Sequence, residues 1–340
     1  MQLKTPDFWS HRGFFALLLW PLSLIWRLGH SLRWYRASQY QASLPVICVG
    51  NLSIGGTGKT PTVLRLAGLL TEMGYQPVIL SRGYGGAEKG PILVNPEQHS
   101  AADIGDEPLM MAASLPVVVS RRRDIGARYI EHHKLGTIIL MDDGLQNPDL
   151  FQDIVLGVFD GEVGIGNNLI LPAGPMREPF KQGVKKLDIA LVNGTDEKGL
   201  MAKLGAAGSS DLLCISAVLN PSPDMTAEPD TSYIAFAGIG RPSRFFKSLQ
   251  HAGFELVQSI SFADHHPYAN TDLIRLQEAA NQSGAQLITT MKDWVRLPPE
   301  WRAEIKSFVV SMDFGDEEAK LRDQLNRQLE KAMQRCTKTA

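Results

Sequence analysis

An α/β fold built on a doubly wound, mostly parallel sheet is what this sequence predicts. Three observations predict it. Short apolar runs recur along the chain, and most are continuous rather than alternating, which suits strands buried on both faces. Segments of helical spacing fall between them. The first of these runs ends in a glycine-rich turn that opens a helix.

The elements follow in order. Val46-Ile47-Cys48-Val49 is the first strand. Pro61 to Met73 has helical spacing, with Val63, Leu66, Ala67 and Leu70 on one side. Pro61 falls in the first turn, where a missing N–H costs nothing. Strands are expected at Pro77-Leu80, Val117-Ser120, Thr137-Met141, Ile154-Phe159, Ile189-Val192 and Leu212-Ile215. Asn220 to Thr231 is rich in Pro, Ser, Asp and Thr and is expected to be a linker. Beyond it, strands at Tyr233-Ala237, Leu256-Phe262, Leu287-Thr290 and Phe308-Ser311, with helices at Arg244-Ala252 and Asp272-Ser283, predict a smaller second α/β unit. The last twenty or so residues are a polar helix or tail with no further signal. The expected division is 1–40, 41–222 and 223–335.

The 340 residues are 44% hydrophobic and 21% charged, which is ordinary for a globular chain. A formal net charge of -2 gives no argument for a nucleic-acid partner. Cys48, Cys214 and Cys336 are too far apart for a metal motif or a disulfide framework and fit a reducing compartment.

The N-terminal forty residues differ. Lys4, Arg12, Arg27, Arg33 and Arg36 stand against one acid, Asp7, and Trp9, Trp20, Trp26 and Trp34 are four of the six tryptophans. The apolar stretch Phe14 to Trp26 is 13 residues long, and crossing a bilayer takes about 20. A secretory leader is disfavoured by the arginines that follow and by the lack of an A-x-A site. An apolar body with aromatic rings and arginines suits an interfacial helix; a helix that simply packs on the core is the alternative.

Ser53-Ile54-Gly55-Gly56-Thr57-Gly58-Lys59-Thr60 departs from the strict G-x-x-x-x-G-K-[ST] pattern only at Ser53. Its glycines let the backbone N–H groups curl around phosphate oxygens, and the helix start adds positive partial charge. Lys59 is expected at the β- and γ-phosphates of ATP and Thr60 on Mg²⁺. Thr137 to Met141 is an apolar strand that ends in Asp142 and Asp143, the second metal anchor such a loop needs. The fold expected is therefore of the P-loop kinase type.

Ordered blocks extend this reading. They are Gly50-Asn51-Leu52 with the loop through Pro61, Leu80-Ser81-Arg82-Gly83-Tyr84-Gly85, Gly105-Asp106-Glu107-Pro108, Asp142-Asp143-Gly144-Leu145-Gln146 and Leu171-Pro172-Ala173-Gly174-Pro175-Met176-Arg177-Glu178-Pro179. After them come Ala237-Gly238-Ile239-Gly240-Arg241-Pro242, Phe262-Ala263-Asp264-His265 and Thr289-Thr290 with Lys292-Asp293. In these blocks the chain resembles the tetraacyldisaccharide 4′-kinases, the lipid A 4′-kinases of Gram-negative bacteria. It departs from their pattern at Asn147, Asn168 and Met291. The resemblance implies transfer of the γ-phosphate of ATP, with Mg²⁺, to the 4′-hydroxyl of a tetraacylated glucosamine disaccharide 1-phosphate. It implies a peripheral enzyme on the cytoplasmic face of the inner membrane; no obligate protein partner is expected.

The resemblance also implies roles. Asp106 would be the base, assisted by His265. Arg82, Tyr84 and Gln146 would lie at the nucleotide and Glu107 near the metal. Arg177 and Glu178 would lie near the acceptor. The run Arg121-Arg122-Arg123 would be a solvated face or would meet the lipid's phosphate. Other readings stay open. A P-loop GTPase or metal-insertion chaperone would use an N-K-x-D turn, and Asn193-Gly194-Thr195-Asp196 lacks its lysine. A soluble small-molecule kinase and a non-enzymatic binding module are the others.

Overall fold

Alternating strands and helices wind outwards from β1 (Val46–Gly50), whose five residues are all buried. The computed structural model describes residues 6–222, 227–228 and 230–339. Lys4 and residues 223–226 and 229 of the expected linker lie outside these. Helix α1 (Phe14–Arg36) precedes β1. Then follow α2 (Lys59–Glu72), β2 (Pro77–Ser81), β3 (Ile92–Leu93), α3 (Ala101–Ile104), α4 (Asp106–Ala112), β4 (Val117–Val119), α5 (Arg123–His132), β5 (Ile138–Asp142), β6 (Ile154–Asp160), α6 (Phe180–Val184), β7 (Ile189–Asn193), α7 (Leu200–Ala207) and β8 (Leu213–Pro221). The second half holds β9 (Ser232–Ala237), α8 (Pro242–His251), β10 (Glu255–Ser261), α9 (Asn270–Ser283), β11 (Gln286–Thr290), α10 (Met291–Trp294), α11 (Pro299–Arg302), β12 (Lys306–Phe308), β13 (Val310–Asp313) and α12 (Glu318–Thr339).

Nine strands form one sheet in the order β13-β8-β7-β6-β1-β5-β2-β4-β3. Its pairs are parallel except at the two edges, where β3 and β13 run antiparallel. Side chains alternate across β1: Ile47 and Val49 pack with Val63, Leu66 and Leu70 of α2, whereas Val46 and Cys48 face the layer of Ala127, Val184 and Leu204. Both faces are covered, which is why the central strands read as continuous apolar runs. Strand order reverses at β1, between β5 and β6. Open α/β sheets bind ligands beyond the carboxyl ends of the strands at such a switch point.

The second sheet has the order β10-β9-β11-β12 and is wholly parallel. Tyr233, Ala235 and Ala237 of β9 pack on Phe245 and Leu249 of α8. Ile234 and Phe236 pack on Leu273, Leu276 and Ala280 of α9.

Three features differ from the sequence expectation. The run Phe308-Ser311 is not one strand. β12 ends in the small sheet at Phe308, and β13 crosses to the large one, pairing with β8. β8 extends past the end of β7, and β13 covers that overhang. Next, α12 does carry a signal: Leu321, Leu325 and Leu329, four apart, are buried against the large sheet. Its charged majority masks that single stripe. The chain from Val310 therefore belongs with the large sheet, although the boundary was expected at 335. Finally, α1 is 23 residues long, and by length and composition alone it suffices to cross a membrane. The 13-residue estimate stopped at Trp26, but the helix runs on through Arg36. Within α1 only Ala16 and Ser23 are buried.

Candidate active site

The phosphate-type loop leaves β1 at Gly50 and enters α2 at Lys59. Gly55 holds φ +130° and Gly58 φ +93°, backbone that glycine adopts without a steric penalty. Asn193, at the end of β7, donates from Nδ2 to the Thr57 carbonyl at 3.1 Å and fixes the loop's far limb. Asp196 spends its carboxylate on the N–H groups of Leu200 and Met201 at the start of α7. The Asn193 amide nitrogen and the Asp196 carboxylate of the would-be guanine turn are thus engaged within the fold.

Asp142 ends β5, in register with Val49 of β1. It is buried, and its Oδ1 has no hydrogen-bond partner among the described residues. Its Oδ2 accepts a long contact from Ser81 Oγ at 3.5 Å. Burial, then the charges of Glu107 and Asp143, push its carboxyl up to about 7. Asp143 behaves oppositely. Burial works against its charge, but Lys59 and Arg177 hold the carboxyl below the usual range. Arg177 grips it with two hydrogen bonds, 2.9 and 3.2 Å, and Lys59 Nζ stands 3.8 Å away.

A buried carboxylate oxygen without a donor is an acceptor that suits a cation. Among the described residues no group of three or more His, Cys, Asp or Glu makes a cage. Mg²⁺ needs none, because one or two carboxylates and the substrate phosphates suffice. Asp142, with the Thr60 hydroxyl at the head of α2, therefore fits that ion.

Gly105 and Asp106 begin α4. A Cβ on Gly105 would stand 2.4 Å from the Tyr84 carbonyl, so only glycine lets the loop after β2 press against this turn. That close approach brings the Arg82–Tyr84 loop beside Asp106. Arg82 and Tyr84 themselves are exposed, and Tyr84 is 74% so. Among the described residues neither side chain makes a hydrogen bond to the loop around Lys59.

Asp106 and His265 meet across the two sheets. His265 Nδ1 lies 2.8 Å from Asp106 Oδ2. Arg296, behind them, donates its Nε to the same oxygen at 2.8 Å, and its Nη2 lies 2.7 Å away. From Nη1 it also reaches Asp293 and the Gly238 carbonyl. Burial would raise the Asp106 carboxyl, but the hydrogen bonds from His265 and Arg296 outweigh it and hold the carboxyl below its usual range. All these contacts converge on Oδ2, and Oδ1 accepts no hydrogen bond among the described residues. His265 sits at φ 57° and Asp143 at φ 49°. They are two of four non-glycine residues with positive φ among the described residues. Such backbone clusters at functional sites.

The remaining expected residues fall into two groups. Glu107 pairs with Lys292 at 3.3 Å, close enough to Asp142 to raise it. Gln146 is a strut: Nε2 donates to the Asn51 carbonyl and to Glu178, and Oε1 accepts from Arg177. Glu178 is buried and paired with Lys186 at 2.5 Å. Arg177 and Glu178 also line a cleft of about 270 Å³ with Arg27, His30, Trp34 and Lys186, beneath α1. Of the arginine run, Arg123 is buried and donates to the carbonyls of Ser120 and Asp142, while Arg121 and Arg122 face solvent.

Sequence reasoning gave no role to Arg296, Asp160, Arg241 or Arg244. Arg241 and Arg244 reach from α8 and its N-terminus to the buried Asp160 at the end of β6, at 3.2 and 2.7 Å. The signal for Arg241 in the sequence is its place in Ala237-Gly238-Ile239-Gly240-Arg241-Pro242. Arg296 had only its position three residues after Asp293.

A family model described as tetraacyldisaccharide-1-P 4′-kinase matches residues 15–330. A tetraacyldisaccharide 4′-kinase of Bradyrhizobium sp. strain BTAi1 is 43% identical over 343 residues, covering 98% of this chain and 97% of the relative. One from Rhodopseudomonas palustris strain CGA009 is 44% identical over 337 residues, covering 95% and 97%. Among solved structures, LpxK from Aquifex aeolicus in complex with ATP superposes with a TM-score of 0.76 at 25% identity, over 93% of this chain and all of that one.

Proposed function

The chain belongs to the tetraacyldisaccharide-1-P 4′-kinase family, and from that premise we propose how its own residues divide the work. The enzyme is an ATP- and Mg²⁺-dependent kinase that phosphorylates the 4′ position of the tetraacyldisaccharide precursor of lipid A.

Asp106 is the base. The observation that carries this is its carboxylate, held at Oδ2 by His265 and Arg296 with Oδ1 uncommitted. The acceptor hydroxyl oxygen bonds to the γ-phosphorus, the bond to the β,γ-bridging oxygen breaks, the hydroxyl proton passes to Asp106, and ADP leaves. A carboxyl held low is a weak base, which suffices where the transition state is loose and the hydroxyl loses its proton late. His265 and Arg296 are positioning residues in this scheme.

Residues 53–60 wrap the phosphates, and Lys59 exchanges its contact with Asp143 for the β- and γ-phosphates. Asp142 and Thr60 would hold Mg²⁺, which when bound would offset the charge of the transferring group. Glu107 and Asp143 add charge around that ion, and Arg177 keeps Asp143 in place. Arg82 and Tyr84 border the nucleotide. Arg177 and Glu178, at the wall of the cleft under α1, mark the acceptor side.

The α/β body carries one apolar N-terminal helix, which is compatible with peripheral membrane association. We place the enzyme on the cytoplasmic face of the inner membrane, where ATP and an acylated acceptor meet. Nucleic acid and obligate protein partners have no part in this reading. Two units, 41–222 with 310–339 and the intervening smaller one, close on each other across Asp106 and His265.

The test is incubation with γ-labelled ATP, Mg²⁺ and the tetraacyldisaccharide 1-phosphate, with the product mapped. Label at the 4′ oxygen is expected from the wild type and not from Asp106→Ala. Equal labelling by both would remove Asp106 from its role.

A further inference from the structure

We propose that Arg241 is a phosphate-binding residue of the transfer reaction, delivered to the P-loop from the smaller sheet. The proposal rests on the kinase reading and adds a residue to it.

Three observations carry it. The first is position. A Cβ built on Gly55 would lie 3.5 Å from Arg241 Nη2, so the guanidinium rests against the loop that wraps the phosphates. The second is vacancy. Arg241 makes one side-chain hydrogen bond among the described residues, from Nη1 to Asp160 Oδ2 at 3.2 Å. A guanidinium offers about five N–H donors, and this side chain is 36% exposed. Asp160 does not depend on it. Arg244 donates to the same oxygen at 2.7 Å, and the N–H groups of Glu162 and Val163 donate to Oδ1. Arg241 can therefore leave without stranding a buried carboxylate.

The third is connection. The segment Gly238–Arg241 follows β9, and its first carbonyl accepts from the His265 N–H and from Arg296. One short loop thus ties the Asp106–His265 pair to the phosphate cradle. During transfer, negative charge grows on the bridging oxygen as its bond to phosphorus breaks. Arg241 donates hydrogen bonds to phosphate oxygens and exchanges no proton, as an arginine finger does in other P-loop enzymes.

The test uses full-length Arg241→Ala, Arg241→Lys and Asp160→Asn. Calorimetry gives the affinity for ADP and for the β,γ-methylene analogue of ATP, both with Mg²⁺. For Arg241→Ala the expectation is ADP binding within about twofold of wild type, analogue binding at least about tenfold weaker, and kcat lower by about 100-fold or more. Arg241→Lys should recover part of both losses. Asp160→Asn should keep the wild-type ratio of analogue to ADP affinity. An unchanged ratio in Arg241→Ala would overturn the proposal, and so would an Asp160→Asn enzyme that reproduces the Arg241→Ala defect, because Arg241 would then be only a strut. The binding ratio needs no lipid acceptor. A wild-type enzyme inert towards the acceptor would thus sink the kinase reading while the ratio still judged Arg241.

Discussion

His265 Nδ1 and Asp106 Oδ2 stand 2.8 Å apart although 159 residues separate them in the chain. One belongs to the turn after β10, the other to the first residue of α4. Neither sheet holds the pair alone, so the contact reports that the two units are docked. Arg296 joins the pair, with one guanidinium linking Asp106 to the buried Asp293.

Asp106→Ala is therefore expected to lower kcat by about 100-fold or more, the range of a positioned base. KM for ATP should stay within about threefold, because among the described residues the carboxylate makes its hydrogen bonds to His265 and Arg296 and none to residues 53–60. Steady-state kinetics at saturating acceptor decides it. A kcat near wild type would exclude Asp106 as the proton acceptor.

Lys59→Ala should act on both parameters, through the lost contact with the β- and γ-phosphates. Its only ion pair among the described residues is a 3.8 Å contact with Asp143. Folding should be almost untouched, and thermal unfolding should show it. Near-normal turnover would refute the assignment.

Arg296→Gln tests the support behind the pair. Asp293 is fully buried and Arg296 only 7% exposed, so the substitution leaves a buried carboxylate short of its cation. Breaking such a pair costs about 3–5 kcal/mol. Urea unfolding is the measurement, and a loss below about 1 kcal/mol would show that Tyr268 and the Gly238 N–H, which also bond Asp293, are enough.

Much of this was legible in the residues. The central strands were, because burial on both faces leaves an unbroken apolar run, as in Ile138–Asp142. The glycine-rich turn between β1 and α2 was, because its glycines and Lys59-Thr60 sit together in sequence. Pairings across the sheets were not. Nothing local marks Arg296 as the partner of Asp106, and the pairing of His265 came from family resemblance alone. The crossing between Phe308 and Val310 was hidden because both strands fall in one apolar run, and only the overhang of β8 separates them. Helix α12 was hidden by charge, with one buried leucine per turn.

The metal-free protein should show a pH signature from Asp142. Its carboxyl is raised to about 7, against an unfolded value of about 3.9. Between those limits the folded state binds more protons than the unfolded one, so this group's contribution to stability falls as pH rises. In chelator, Tm of the wild type should drop across that window relative to Asp142→Asn, which cannot titrate. Mg²⁺ with ATP should flatten the difference. Parallel profiles for the two proteins would contradict the burial assigned to this carboxyl.

The membrane reading of α1 needs a variant that spares the helix's own anchors. Ser23 Oγ donates to the Ile170 carbonyl at 2.7 Å, and Trp26 Nε1 reaches the Arg177 carbonyl at 3.3 Å. Deleting the helix would disturb the loop that carries Arg177 and confuse two effects. Phe14, Leu18 and Ile25 are 74, 61 and 68% exposed, and neither of these hydrogen bonds uses their side chains. Fully burying one such side chain is worth about 1.5–3 kcal/mol. Replacing all three by serine should therefore cut partitioning onto anionic phospholipid vesicles by at least about tenfold, with ADP affinity unchanged. If sedimentation with vesicles stays at the wild-type level, the exposed apolar face is not what meets the bilayer. If ADP affinity falls instead, α1 is a structural helix whose outer face the body depends on.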